Sequence, residues 1–143
     1  MIIDKLRDLE KESIERGIPV IGYVKGKWLY DKIIELKPKR ILELGTANGY
    51  SGIILASQGA KLTSIEIDRK IAKEAENNFK KFRIRASIIT GDAVNIIKDI
   101  RERFDLIFLD IEKSKYVIVL EDCIRLVKDS GYIIADNLSF DSC

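Results

Sequence analysis

Short unbroken apolar runs alternate with longer stretches in which apolar residues recur every three or four positions, and this alternation fills the chain from Arg40 onward. Such runs suit strands buried on both faces of a parallel sheet, and the longer stretches suit the helices that cover it. The pattern predicts strands at Arg40–Leu44, Lys61–Ile65, 84–89, 104–109 and 131–135. Between them it predicts helices at Tyr50–Ser57, at Arg69–Phe82 behind the capping residue Asp68, at 93–101 and at 114–128. Upstream, Ile2, Ile3, Leu6, Leu9 and Ile14 keep roughly helical spacing over 2–16 and stop at Gly17, after which Pro19 breaks the chain. A further helix is predicted over 25–36, with Trp28, Leu29, Ile33, Ile34 and Leu36 near one face, before Pro38. Strands joined by crossovers long enough for helices imply an α/β class, a Rossmann-like doubly wound parallel sheet.

Length limits this to one domain, because 143 residues with 46% apolar content build a single core. Residues 1–38 are read as N-terminal helices on the ligand-entry side, and residues 39–143 as the ligand-binding core. Charge changes little. With 25 basic and 23 acidic residues the net charge is +2, and the basic residues lie beside acidic neighbours rather than in blocks, so charge does not argue for nucleic acid. No signal pattern and no apolar run of about 18 residues is present, which predicts a cytoplasmic protein outside the membrane. Cys123 and Cys143 make neither a disulfide framework nor a metal knuckle. The abundance of isoleucine and lysine with a lone Gln58 resembles the bias of thermophile proteins. Histidine is absent, so proton abstraction must fall to a carboxylate, a lysine, a tyrosine or a metal-bound oxygen.

Candidate chemistry gathers where strands end. FDLIFLD reaches Asp110 and runs on through Ile111-Glu112-Lys113, and GYIIAD reaches Asp136 followed by Asn137. Open α/β sheets bind ligands at their carboxyl edge, so Asp110, Asp136 and Asn137 would offer three oxygen donors to a hard divalent cation there. Earlier, Gly45, Gly49 and Gly52 occupy the turn from the first core strand into a helix, where backbone can approach a ligand closely. Their G-x-x-x-G-x-x-G spacing departs from the G-x-G-x-x-G dinucleotide fingerprint and disfavours a nicotinamide cofactor. Glu66, 21 positions beyond Gly45, can accept from both hydroxyls of a ribose. Glu43, just before the glycine turn, suits a cationic or amine-bearing ligand rather than a phosphate.

On the segments ELGTANGYS, SIEID, TGDA, FDLIFLDIEKSKY and IIADN, between about Pro19 and Phe140, the chain resembles class I S-adenosylmethionine-dependent methyltransferases. More narrowly, it resembles the cation-dependent O-methyltransferases of the catechol and caffeoyl-CoA type. That resemblance implies S-adenosylmethionine near Ile21, Glu43, Gly45, Thr46, Ser51, Glu66, Asp92, Ala93 and Asp110. It also implies Mg²⁺, or Mn²⁺ or Ca²⁺, on Asp110, Asp136 and Asn137, with Asp110 and Lys113 beside the reacting hydroxyl of a small-molecule acceptor. Alternative readings are a tRNA-base methyltransferase, a non-catalytic cofactor-binding subunit and a nicotinamide-dependent oxidoreductase. Relatives of this type continue through a C-terminal antiparallel strand pair that has no counterpart here, so the expectation is a homo-oligomer that covers an open sheet edge, or else a truncated chain.

Overall fold

The structure, a computed structural model, describes residues 1–136. Five strands, β1 (Arg40–Leu44), β2 (Lys61–Glu66), β3 (Ala86–Thr90), β4 (Phe104–Leu109) and β5 (Val127–Ala135), pair in parallel in the order β3-β2-β1-β4-β5. Among the described residues seven helices accompany them: α1 (Ile2–Lys5), α2 (Arg7–Arg16), α3 (Gly22–Leu36), α4 (Tyr50–Leu55), α5 (Arg69–Lys81), α6 (Ala93–Ile96) and α7 (Lys113–Leu126). No helix among the described residues is long and apolar enough to cross a membrane.

Alternation along the strands feeds two cores, one on each face of the sheet. Ile41, Leu62, Leu106 and Phe108 face the side covered by α3, α4 and α5, where Leu29, Ile33, Ile53, Ile54 and Phe79 join them. Ile3 and Leu6 from the N-terminal segment enter the same cluster. Leu42, Leu44, Ile107 and Leu109 face α6 and α7, meeting Ile97, Val119, Cys123 and Leu126. Burial on both faces is why the strands read as unbroken apolar runs. Glu43 sits between Leu42 and Leu44, so its side chain goes to the α4 face rather than to that of its apolar neighbours.

Several boundaries differ from the sequence expectation, each for a tertiary reason. The helix expected over 2–16 breaks at Leu6, whose φ of −94° and ψ of 2° end α1 and begin α2. Ile3 and Leu6 are both buried there. α3 begins three residues early, at Gly22, because the Tyr23 N–H donates to Glu10 Oε1 at 2.9 Å, a cap supplied by another helix. Arg83, at φ 58°, turns the chain so that the Ile84 N–H bonds back to the Phe79 carbonyl, which delays β3 to Ala86. The 93–101 helix shortens to α6 and a 3₁₀ turn over Ile97–Asp99. β5 starts at Val127, paired with Phe104, and skips to Tyr132 opposite Leu106, with residues 128–131 forming an irregularity between.

Candidate active site

β1 and β4 are neighbours in the sheet, but β1 continues into α4 on one face and β4 into α7 on the other. A crevice opens outside the carboxyl ends of strands at such a reversal. Here it is a cleft of about 360 Å³ lined by Pro19, Gly45, Ile65, Glu66, Ile67, Gly91, Asp92, Ala93, Asp110, Ile111, Glu112 and Lys115.

Gly45 determines the floor. Its φ is +96°, and a Cβ there would lie 2.1 Å from the Asp110 carbonyl oxygen, so the turn after β1 touches the end of β4 through bare backbone. The Gly45 and Thr46 N–H groups both donate to the Ile65 carbonyl, at 2.9 and 3.2 Å. The loop then turns through Ala47 at φ 48°, an uncommon conformation for a residue with a Cβ, which aims its N–H at Glu66. Glu66 Oε1 accepts from Ala47 N at 2.8 Å and Oε2 from Asp68 N at 2.9 Å. A carboxylate held by two backbone donors keeps further acceptor capacity on each oxygen, which is what paired ribose hydroxyls require. Asp92 caps α6 through Val94 N at 3.1 Å and lies 4.0 Å from Lys115 Nζ.

Glu43 lies beneath this loop with 0 % of its surface exposed. Ser51 and Ser64 donate their hydroxyls to its two oxygens, the latter at 2.7 Å, and Thr46 shares a hydrogen bond with Ser64. Burial pushes the Glu43 carboxyl up to about 8 against the pull of the two hydroxyls, and the charges of Asp110 and Glu66 add to the rise. Thr46 and Ser51 are buried with it. Ile21 stands at the N-cap position of α3, half-buried against the first core.

Ladder hydrogen bonds carry the two strand-end carboxylates to the same level. The Asp110 N–H donates to Leu44 and the Asp136 N–H to Leu109, each at 2.8 Å. Burial first, then the charge of the neighbouring Asp136 and a hydrogen bond with it, raise the Asp110 carboxyl to about 6 against the opposing charge of Lys25. Lys25 Nζ reaches Asp136 Oδ1 at 3.0 Å. The Tyr116 hydroxyl donates to the main-chain carbonyls of Leu109 and Asp136, tying the ends of β4 and β5 together. Burial and the two aspartates push that phenol up to about 12. Two facing carboxylates of which one resists ionisation favour a cation between them, and an all-oxygen pair fits Mg²⁺ or its relatives. Among the described residues there is no group of three or more acidic or thiol side chains that could hold a metal.

The fold therefore brings Gly45, Glu66, Asp92, Ala93 and Asp110 onto one cleft, with Asp136 beside Asp110. Glu43, Thr46 and Ser51 form the layer beneath. Lys113 is the first residue of α7 and is exposed, and Asn137 lies outside the described residues. Pro19, Lys25, Lys115 and the role of Tyr116 escaped the sequence reading. Lys25 and Pro19 belong to the N-terminal segment, and nothing in their local pattern announces a partner on β5 or a place on the cleft. For Tyr116, a phenol at a helix start says nothing of the carbonyls it will meet.

A sequence model described as O-methyltransferase matches residues 2–142. A catechol O-methyltransferase of Niastella koreensis is 33% identical over 146 residues, covering 94% of this chain and 66% of its own length. A caffeoyl-CoA O-methyltransferase of Stellaria longipes is 29% identical, covering 94% of this chain and 61% of its own. Among solved structures, a Podospora anserina methyltransferase with bound SAH superposes with a TM-score of 0.77 at 30% identity, over 82% of this chain and 54% of that one. The chain thus spans between about half and two thirds of the length of these relatives.

Proposed function

Because this chain belongs to the O-methyltransferase family, we propose that it moves a methyl group from S-adenosylmethionine to an oxygen of a small molecule with adjacent hydroxyls, assisted by a divalent cation. The observation that carries this reading is the meeting of Glu66, Asp110 and Asp136 at one sheet edge, with glycine backbone between the first two. Glu66, fixed by Ala47 and Asp68, accepts from the ribose hydroxyls of the donor. Gly45 would let the donor approach backbone, Asp92 and Ala93 would hold its adenine, and Glu43 would offer a carboxyl to its positive end.

Asp110 and Asp136, with Asn137, are the residues to hold the cation. Bound there, it supplies Lewis acidity that lowers the pKa of an acceptor hydroxyl and fixes its direction. Lys25 meanwhile keeps Asp136 paired, so the two carboxylates are not left facing each other without positive charge. Lys113, at the entry to α7, is positioned two residues past the cleft wall at Ile111 and is the amine proposed to take the hydroxyl proton. Holding donor and acceptor in line supplies the rest, since displacement at a methyl group needs alignment more than covalent help.

The test couples binding to turnover. Titration calorimetry with S-adenosylmethionine should give one site, and radiolabelled methyl transfer to 3,4-dihydroxybenzoate should require Mg²⁺ and be stopped by EDTA. Asp136→Ala should lower that turnover about a hundredfold, equivalent to roughly 2.7 kcal/mol, with S-adenosylmethionine affinity little changed. Absence of S-adenosylmethionine binding with and without Mg²⁺ overturns the whole reading, and EDTA-resistant transfer overturns the metal alone.

A further inference from the structure

In a parallel sheet every strand begins at the same edge, and here each of the five described strands begins beside a cation. Lys39 and Arg40 lead into β1, Lys61 opens β2, Arg83 and Arg85 precede β3, Arg103 precedes β4, and Lys128 follows the first residue of β5. Charges that are scattered along the chain are therefore gathered in space, at the edge opposite the cleft, which corrects the linear reading. The carboxylates adjoining these strand starts are already engaged. Glu102 pairs with Arg40 at 2.9 Å, Asp129 with Arg103 at 3.5 Å and Asp105 with Lys128 at 3.4 Å. Asp105 also accepts from the Lys39 and Arg40 N–H groups, at 3.0 and 2.8 Å. Lys37, Lys39, Lys61, Arg83 and Arg85 remain without an ion pair to any described residue, and all lie on the side of β1, β2 and β3.

Three of them, Lys37, Lys39 and Arg85, line a groove of about 610 Å³. Its apolar surface comes mainly from the exposed Ile34 and from Pro38, and among the described residues no carboxylate lines it. The Arg85 guanidinium donates to the Gly59 carbonyl at 3.4 Å, which ties it to the turn that forms the groove's far wall. A Cβ added at Gly59 would meet nothing within 4 Å, so the space over that turn is open. A cavity of this size takes a small molecule. Exposed cations around an apolar floor steer in and hold an anion with an apolar body, and guanidinium recognises phosphate through paired hydrogen bonds.

We propose that this groove is a second binding site, for a small organic phosphate whose apolar part rests on Ile34 and Pro38 and whose phosphate lies between Arg85, Lys39 and Lys37. A strand of five or six residues separates it from the cleft, roughly 16–20 Å, so the two ligands bind independently. The site stands whether or not the catalytic reading does.

Calorimetric titration of the full chain with 1-naphthyl phosphate tests it. The expected result is one site whose affinity is unchanged by saturating S-adenosylmethionine, falls with added salt, and exceeds that of inorganic phosphate and of 1-naphthol. Arg85→Glu and Lys39→Glu, both exposed positions, should each weaken it about tenfold, and Lys11→Glu on α2 should not. Circular dichroism melting verifies that each variant is folded. Four results would overturn the proposal: no binding at millimolar probe, equal weakening by Lys11→Glu, displacement by S-adenosylmethionine, or tighter binding of an oligouridylate than of the naphthyl ester. The last would mark the edge as a polyanion track instead.

Discussion

The two edges of one sheet are built on opposite charge and opposite packing. At the carboxyl edge, Glu43, Asp110 and Asp136 sit partly or wholly out of water, hydrogen-bonded and pressed together, and two of them are pushed toward neutrality. At the amino edge, cations stand in solvent with exposed pairings such as Arg40 to Glu102. The sheet's own connectivity produces this contrast, since each strand carries its last residue to one rim and its first to the other. Like charges crowded in a dry place store electrostatic free energy that a ligand can release, whereas like charges in water cost little and mainly steer.

The contrast can be broken most severely at Gly45. Gly45→Ala forces a Cβ into the Asp110 carbonyl, and we expect a loss on the order of 3 kcal/mol in urea unfolding together with loss of S-adenosylmethionine binding. Wild-type behaviour on both counts would mean the cleft floor is softer than its geometry. Tyr116→Phe removes the hydroxyl that joins the ends of β4 and β5, and should cost about 1–2 kcal/mol in the same assay by removing the bond to the Asp136 carbonyl, since Leu109 keeps the Asp136 N–H as its donor. An unchanged midpoint would show that water replaces it.

Glu43 gives a subtler readout through pH. Its carboxyl is raised in the fold, from an ordinary 4.5 to about 8, so the folded state holds the proton more tightly than the unfolded chain. That contribution to stability is full below about pH 4.5, declines through neutrality and is gone above about pH 8. Glu43→Gln should therefore gain on the wild type as pH rises from 5 to 8, and a pH-independent difference between the two would contradict the burial argument. The smallest effect belongs to the amino edge. Arg40→Ala should shift stability by no more than about 0.5 kcal/mol, because both partners of its ion pair are exposed.

Most of the sheet could be read from the chain because burial on both faces writes apolar runs that need no partner to be recognised. Asp110 and Asp136 were legible for a related reason: the end of a parallel strand has a known address. The starts of α3 and β3 were not, since they are fixed by Glu10 and by the Phe79 carbonyl, groups remote from the boundary they set. Nor was Lys25, whose partner lies on β5. The separation of charge was hidden for a further reason. It depends on all five strands sharing one direction, a property of the assembled sheet rather than of any segment.

The carboxyl beneath the glycine loop has one more consequence, in heat rather than in structure. Burial biases it toward the protonated form, and a sulfonium entering the cleft above would favour its ionised form. Cofactor binding would then expel a proton into solution, and its apparent enthalpy would change with the ionisation enthalpy of the buffer. Comparing titrations in phosphate and in Tris would count that proton directly.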